Sequence, residues 1–191
     1  MKAACLILIL IPLVFAADAV AGQDTGGNHH SEASINAVED AAVSYREAQR
    51  NRALAVAPIR SEDDLFDHLS KLPSSETGSP FLYFSEKGRS RFVDSLKFGD
   101  GGLASFDYSS IQRELTVRQA YELLGLFGFQ DIAASIPGLE VKDEADRAIL
   151  KEGDADFVPL ADYKDYECIG MATCAASNKH ICIGVNCKME P

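Results

Sequence analysis

Four cysteines crowd one end of this 191-residue chain: Cys168, Cys174, Cys182 and Cys187. The fifth, Cys5, lies near the start. Thiols clustered in this way can hold a metal or pair as disulfides. Zinc sites usually take their ligands as two tight C-x2-4-C pairs, each gripping the metal from one turn. Here the intervening segments are five, seven and four residues long, a poor match. His180 lies between the two pairs and could add a ligand, but a histidine in a Lys-His loop is more simply read as exposed. The spacing therefore calls for no metal and no cofactor. It contains no C-x-x-C, so thiol redox catalysis is not expected either. The expected chemistry is two disulfides, and with them an oxidising compartment.

Four cysteines allow three pairings. The two arms resemble each other, Cys168-Ile-Gly-Met-Ala-Thr-Cys174 and Cys182-Ile-Gly-Val-Asn-Cys187. Between them Ser177-Asn178 has turn chemistry. If the arms fold back as a hairpin, Cys174 falls opposite Cys182, and Cys168 falls near Cys187. The register is off by one, which a bulge absorbs. This favours the nested bonds 174–182 and 168–187, while two local rings, 168–174 and 182–187, stay open. Such a tail is first of all a staple. It could also present Ser177, Asn178, Lys179 and His180 to a partner as a rigid loop.

Other residues that could do chemistry read more simply. His29-His30 should be solvated. Asp67 and His68 adjoin on a helix, where neighbours point about 100° apart, so both are expected on the surface. Gly99-Asp-Gly-Gly102 lacks the Gly-Lys-Ser/Thr of a phosphate loop and the alternating acids of a calcium loop; it reads as a turn. Asp154 and Asp156 are two carboxylates without further ligands. There is no Gly-x-Ser-x-Gly elbow and no His-Glu-x-x-His helix. A non-enzymatic protein is the expectation.

The N-terminus supplies the compartment. Lys2, an apolar run from Ala3 to Phe15 and the small residues Ala16 to Ala21 have the form of a secretory signal peptide. The run is short for a membrane span of ~20 residues, and Cys5 should leave with it. Removing the leader keeps the net charge at -11, because Lys2 and Asp18 cancel. That acidity argues against nucleic acid and anionic membranes as partners and suits a basic protein.

The elements that must position the cysteines are mostly helical in pattern. Ile35, Val38, Ala42, Tyr45 and Ala48 recur at helical spacing up to Pro58. Ser61 caps a second helix, with Leu65, Phe66, Leu69 and Leu72 on one face. Ser85 caps a third, with Phe92, Val93 and Leu96 buried. Leu103 to Leu115 reads as a short helix. Thr116 and Gln119 form a capping box before Val117, Ala120, Tyr121, Leu124 and Phe127. Gly128 is placed to end that helix, and a short exposed helix follows within Glu140 to Lys151.

The sequence thus predicts a mainly α protein: a small helical domain with a C-terminal disulfide-stapled β-hairpin or loop. Its expected divisions are a signal peptide at 1–21, a disordered arm at 22–33, a helical domain at 34–152, and a connection with a cysteine-rich tail at 153–191. The expected function is a secreted or periplasmic protein, without a stable membrane anchor once the leader is gone, that binds another extracytoplasmic protein in the manner of an inhibitor or immunity factor. A precursor releasing a cysteine-rich peptide and an extracytoplasmic hydrolase are the alternatives.

Overall fold

The computed structural model describes residues 29–72, 78–153, 162–170 and 172–187. The expected signal peptide, most of the expected disordered arm, and Asp154 and Asp156 lie outside the described residues. The chain divides into two units, Met1–Ala37 and Val38–Pro191. The second holds most of the helical residues and the cysteine-rich tail.

Helix α1 spans His29–Val56, so helix begins inside the segment expected to be a disordered arm. Helix α2, Glu62–Ser70, starts at Ser61, whose side chain accepts from the Asp64 amide. A 3-10 turn, Pro80–Tyr83, leads to α3, Glu86–Asp94, capped by Ser85 through the Gly88 amide. Strands β1, Lys97–Gly99, and β2, Gly102–Asp107, form a hairpin around the glycine-rich turn. Helix α4, Ser109–Glu114, and α5, Val117–Gly125, follow, the latter with the full Thr116–Gln119 capping box. A second 3-10 segment, Gln130–Ser135, precedes α6, Glu144–Gly153. The chain ends on strands β3, Asp162–Cys168, and β4, Cys174–Ile183.

The four strands form one antiparallel sheet in the order β1-β2-β4-β3. This corrects the mainly α expectation. The tail is not an appendage to a helical body: β4 is an inner strand, flanked by β2 and β3. The expected helix at Leu103–Leu115 is likewise strand β2 followed by α4. The reason is burial. Residues Gly102 to Phe106 are all buried, so both faces of β2 are covered and the alternation that marks a half-exposed strand is absent.

One sheet face looks into the helical layer. Leu103, Phe106, Ile181 and Ile183 enter the main core with the helix residues Phe92, Ile111, Leu123 and Leu124. Phe92 is the hub of that core. Its ring lies 5.4 Å from Phe84, 6.0 Å from Phe106, and 6.3 Å from both Phe81 and Phe127. A residue on α3 thereby ties the first 3-10 turn, the sheet and the end of α5. Phe66 departs from its expected place on the buried face of α2 and is 76% exposed.

Helix α1 docks through its last turns. Gly128 has φ +82, and a Cβ there would sit 2.9 Å from Leu54 Cα, so only glycine lets the two backbones approach. Arg50 lies over the Phe129 ring, 5.4 Å from its centroid, and ion-pairs with Asp131 and, at 2.7 Å, with Asp162 at the start of β3. Burial weighs most against the Arg50 charge, but Asp162 and Asp131 hold its pKa above the ordinary value. The Asp162 side chain is only 9% exposed. Burial pushes its carboxyl up to about 6; Arg50 opposes this and Asp131 adds to it.

A raised carboxyl pKa gives stability that is complete below the unfolded pKa of about 4 and is lost as pH climbs through the folded value. Substituting Asp162→Asn removes that titration. In urea unfolding across this range, the stability of wild type relative to Asp162→Asn should therefore fall by about 2–3 kcal/mol between roughly pH 4 and 7. A difference that stays flat or rises with pH would refute this environment for Asp162.

Candidate functional site

The tail carries the site, and its shape depends on an irregular strand. In a regular strand eight residues span about 26 Å at ~3.3 Å each. Cys174 and Cys182 are eight apart, yet their Cα atoms are 6.0 Å apart and their sulfurs are bonded. Strand β4 therefore doubles back between them. The register shows where: Tyr166 opposes Ala176 and Lys164 opposes Ile181, so Asp165 alone faces the four residues Ser177–His180. Asp165 and Lys179 both adopt left-handed backbone, at φ 64 and φ 62. Strand β3 follows the same bend.

Asp165 pins the bend. Its Oδ1 accepts from the Tyr108 hydroxyl at 2.7 Å and from the Lys179 amide at 3.3 Å, while the Lys179 carbonyl accepts from the Tyr108 amide at 2.8 Å. Burial, then the bond to Asp165, pushes the Tyr108 phenol up to about 12, so it stays a donor at any physiological pH. The outer half of the hairpin, Tyr166–Ala176, is turned by Ile169–Thr173, where the Ile169 amide donates to the Thr173 carbonyl.

That outer half folds over the sheet face opposite the helices. Lys97, Ser105, Cys182 and Tyr163 form one row of directly paired residues, and paired residues share a face. Lys97 Nζ reaches the Cys168 carbonyl at 3.1 Å and Glu167 Oε1 at 2.7 Å. Beneath the flap Ala104, Cys168, Cys182 and Cys187 pack as a second small core, with half-buried Cys174 against it. Cys168 bonds to Cys187 across a Cα separation of 5.5 Å. The bonds are thus nested, 168–187 outside 174–182. Asn186 closes the end: its amide donates to the Leu103 carbonyl at 2.9 Å, and it packs on Gly101 in the β1–β2 turn.

The four residues expected as a presented loop are only partly presented. Asn178 is exposed; Ser177, Lys179 and His180 are half-buried. The Ser177 hydroxyl donates to Glu167 Oε2 at 3.2 Å and lies 3.1 Å from His180 Nδ1. His180 Nδ1 is also 3.0 Å from the Asn178 carbonyl. A carbonyl only accepts, so this contact places a proton on Nδ1, and Nδ1 cannot then take the serine proton. The carboxylate meets the serine, not the histidine, and bonding to Lys97 holds Glu167 below the usual carboxylate range. This is not the nucleophile–base–orienter sequence of a serine hydrolase. His68, expected on the surface, is half-buried, with Nε2 3.2 Å from Ser79 Oγ and its ring 5.7 Å from Phe81.

The tail also exposes apolar side chains. Tyr163 and Tyr166 are 46% and 40% exposed, with ring centroids 5.9 Å apart, and Ile169 is 60% exposed. Sequence reading missed these three, along with Lys97, Glu167 and Asp165. The one local hint was Asp165 between the two tyrosines, since aspartate tolerates left-handed backbone better than most residues.

No family model, curated protein or solved structure matches the chain. Among the described residues, no helix is long and apolar enough to cross a membrane. The two disulfides accord with an oxidising, extracytoplasmic setting.

The bend yields a direct test. Tyr108→Phe removes one charge-assisted bond and should cost about 1.5–3 kcal/mol in chemical unfolding. Asp165→Ala should cost more, because it removes both bonds and leaves an alanine at φ 64. Equal, negligible losses in the two variants would show that the bend does not rest on Asp165.

Proposed function

We propose that the protein is exported and acts by binding another extracytoplasmic protein, as an inhibitor or immunity-type factor would, and not by catalysis. The observation that carries this reading is the crosslinked hairpin with its paired, half-exposed tyrosines, Tyr163 and Tyr166. Tyrosine offers large contact area at low entropic cost and is enriched among residues that dominate binding energy. Two disulfides and the Asp165 bend hold the backbone beneath these rings in place, so little ordering remains to oppose association. Asn178, exposed on the bulge opposite Asp165, is a further contact. The net charge of -11 favours a basic partner and would speed encounter with it.

Two alternatives gain less support. Release of the tail as a peptide would strip β4 from between β2 and β3 and bare the buried Ile181 and Ile183. A hydrolase built on carboxylates would need two of them to converge with a histidine, and the Glu167–Ser177–His180 group offers a single carboxylate, bonded to the serine and not to the imidazole.

Immobilised protein, incubated with extracytoplasmic extract from its source, should retain a basic protein, and added salt should weaken that retention. Tyr163→Ala with Tyr166→Ala should reduce capture about tenfold or more. The Phe66→Ala variant, altered at an exposed phenylalanine on α2, should capture normally. Undiminished capture by the double tyrosine variant would remove the hairpin face from the proposal.

A further inference from the structure

The sulfurs beneath the flap are closer together than a pair of independent staples requires. The Sγ atoms of Cys168, Cys182 and Cys187 all lie within 4.8 Å of one another, and these three residues are fully buried. Cys174 alone is partly exposed. Cys174 is therefore the cysteine of the four nearest to solvent and the one an incoming thiol would meet first, and the sulfur that departs, Cys182, already lies beside the second disulfide. A third feature fits the same chemistry. Ser105 is directly paired with Cys182, is fully buried, and its hydroxyl has no hydrogen-bond partner. A buried orphan hydroxyl is costly in a static structure. Facing a sulfur that becomes anionic, it is a ready donor.

We propose that the tail is a thiol–disulfide exchange site, in which opening the outer-facing bond passes on to the buried one. An external thiolate, from a thiol oxidoreductase or a small thiol, attacks Cys174 Sγ. A mixed disulfide forms there, the Cys174–Cys182 bond breaks, and Cys182 leaves with the electron pair as a thiolate. Ser105 donates a hydrogen bond to it. The Cys182 thiolate attacks Cys187 Sγ, forming a 182–187 bond and releasing Cys168 as a thiolate. Cys168 is paired directly opposite Cys174 in the hairpin. It attacks the Cys174 side of the mixed disulfide, forms a 168–174 bond and expels the external thiolate unchanged. Each step makes one S–S bond and breaks one, so the cycle needs no net reductant. It converts nested crosslinks, which latch the flap to the end of the chain, into two local rings that leave the flap unlatched. The exchange does not depend on which partner the hairpin binds.

The test uses the whole folded protein, the monothiol 2-mercaptoethanol as the external thiol, timed quenching with iodoacetamide, and peptide mapping. Wild type should yield a trapped intermediate carrying a 182–187 bond. In Cys174→Ala/Cys182→Ala, which has no relay sulfur, the 168–187 bond should open about tenfold more slowly than in wild type. A pair of simple staples predicts the opposite, since loss of one loosens the flap over the other. Ser105→Ala should slow formation of the 182–187 intermediate while leaving stability to urea unchanged or raised, because it removes an unsatisfied hydroxyl. Absence of the 182–187 intermediate in wild type at every time point would overturn the proposal. So would opening of 168–187 in the double variant as fast as in wild type.

Discussion

The reversal of β4 between Cys174 and Cys182 is the constraint from which the rest follows. A strand that ran straight would carry the hairpin out into solvent as a long ribbon. Because Asp165 turns left-handed and holds both Tyr108 and Lys179, the ribbon folds over the sheet instead. That places a lid on the face of β2 opposite the helices, and Ala104, Cys168, Cys182 and Cys187 become a second core. The helical side has its own organiser in Phe92, whose ring touches the first 3-10 turn, α5's end and the sheet. The sheet is thus a middle layer, covered on one face by side-chain packing and on the other by a crosslinked flap.

The two covers are stabilised differently. The helical face rests on burial of large apolar side chains, worth about 1.5–3 kcal/mol each. The flap leaves Tyr166 and Ile169 partly exposed and is too small to hold itself down by burial. Its crosslinks, with sequence separations of 8 and 19 residues, act on the unfolded chain by removing loop entropy, about 3 kcal/mol for rings of this size. The same bonds fix the platform under Tyr163 and Tyr166, the pair on which the proposed partner contact rests.

Much of the helical half was legible in the residues. Ser61, Ser85 and the Thr116–Gln119 box cap helices where side-chain chemistry said they would. Strands β1 and β2 were not legible, because Gly102–Phe106 is buried on both sides and so shows no alternation, and because β1 is only three residues long. The nested disulfides followed from the likeness of the two arms and from a reversal near Ser177-Asn178; β4 does bend back there, but the hairpin itself turns between Cys168 and Cys174, inside the first expected arm. What the residues could not show is that a second strand, β3, accompanies the reversal, or that β2 lies alongside β4. Those are long-range pairings, set by tertiary packing and not by any local pattern. Phe66 failed for a related reason: it has the spacing of its buried neighbours, but it lies at the edge of the α2 stripe, which helical spacing alone does not locate.

Everything rests on β4 doubling back and being locked there by its crosslinks. The most direct measurement digests the natural product with a lysine-specific protease after denaturation but without reduction. Cleavage at Lys164, Lys179 and Lys188 separates the peptide holding Cys168 and Cys174 from the one holding Cys182 and Cys187. The two peptides should stay joined, with Cys174 attached to Cys182 and Cys168 to Cys187 on fragmentation. Separated peptides carrying free thiols, or closed by their own rings in protein never exposed to an external thiol, would contradict it.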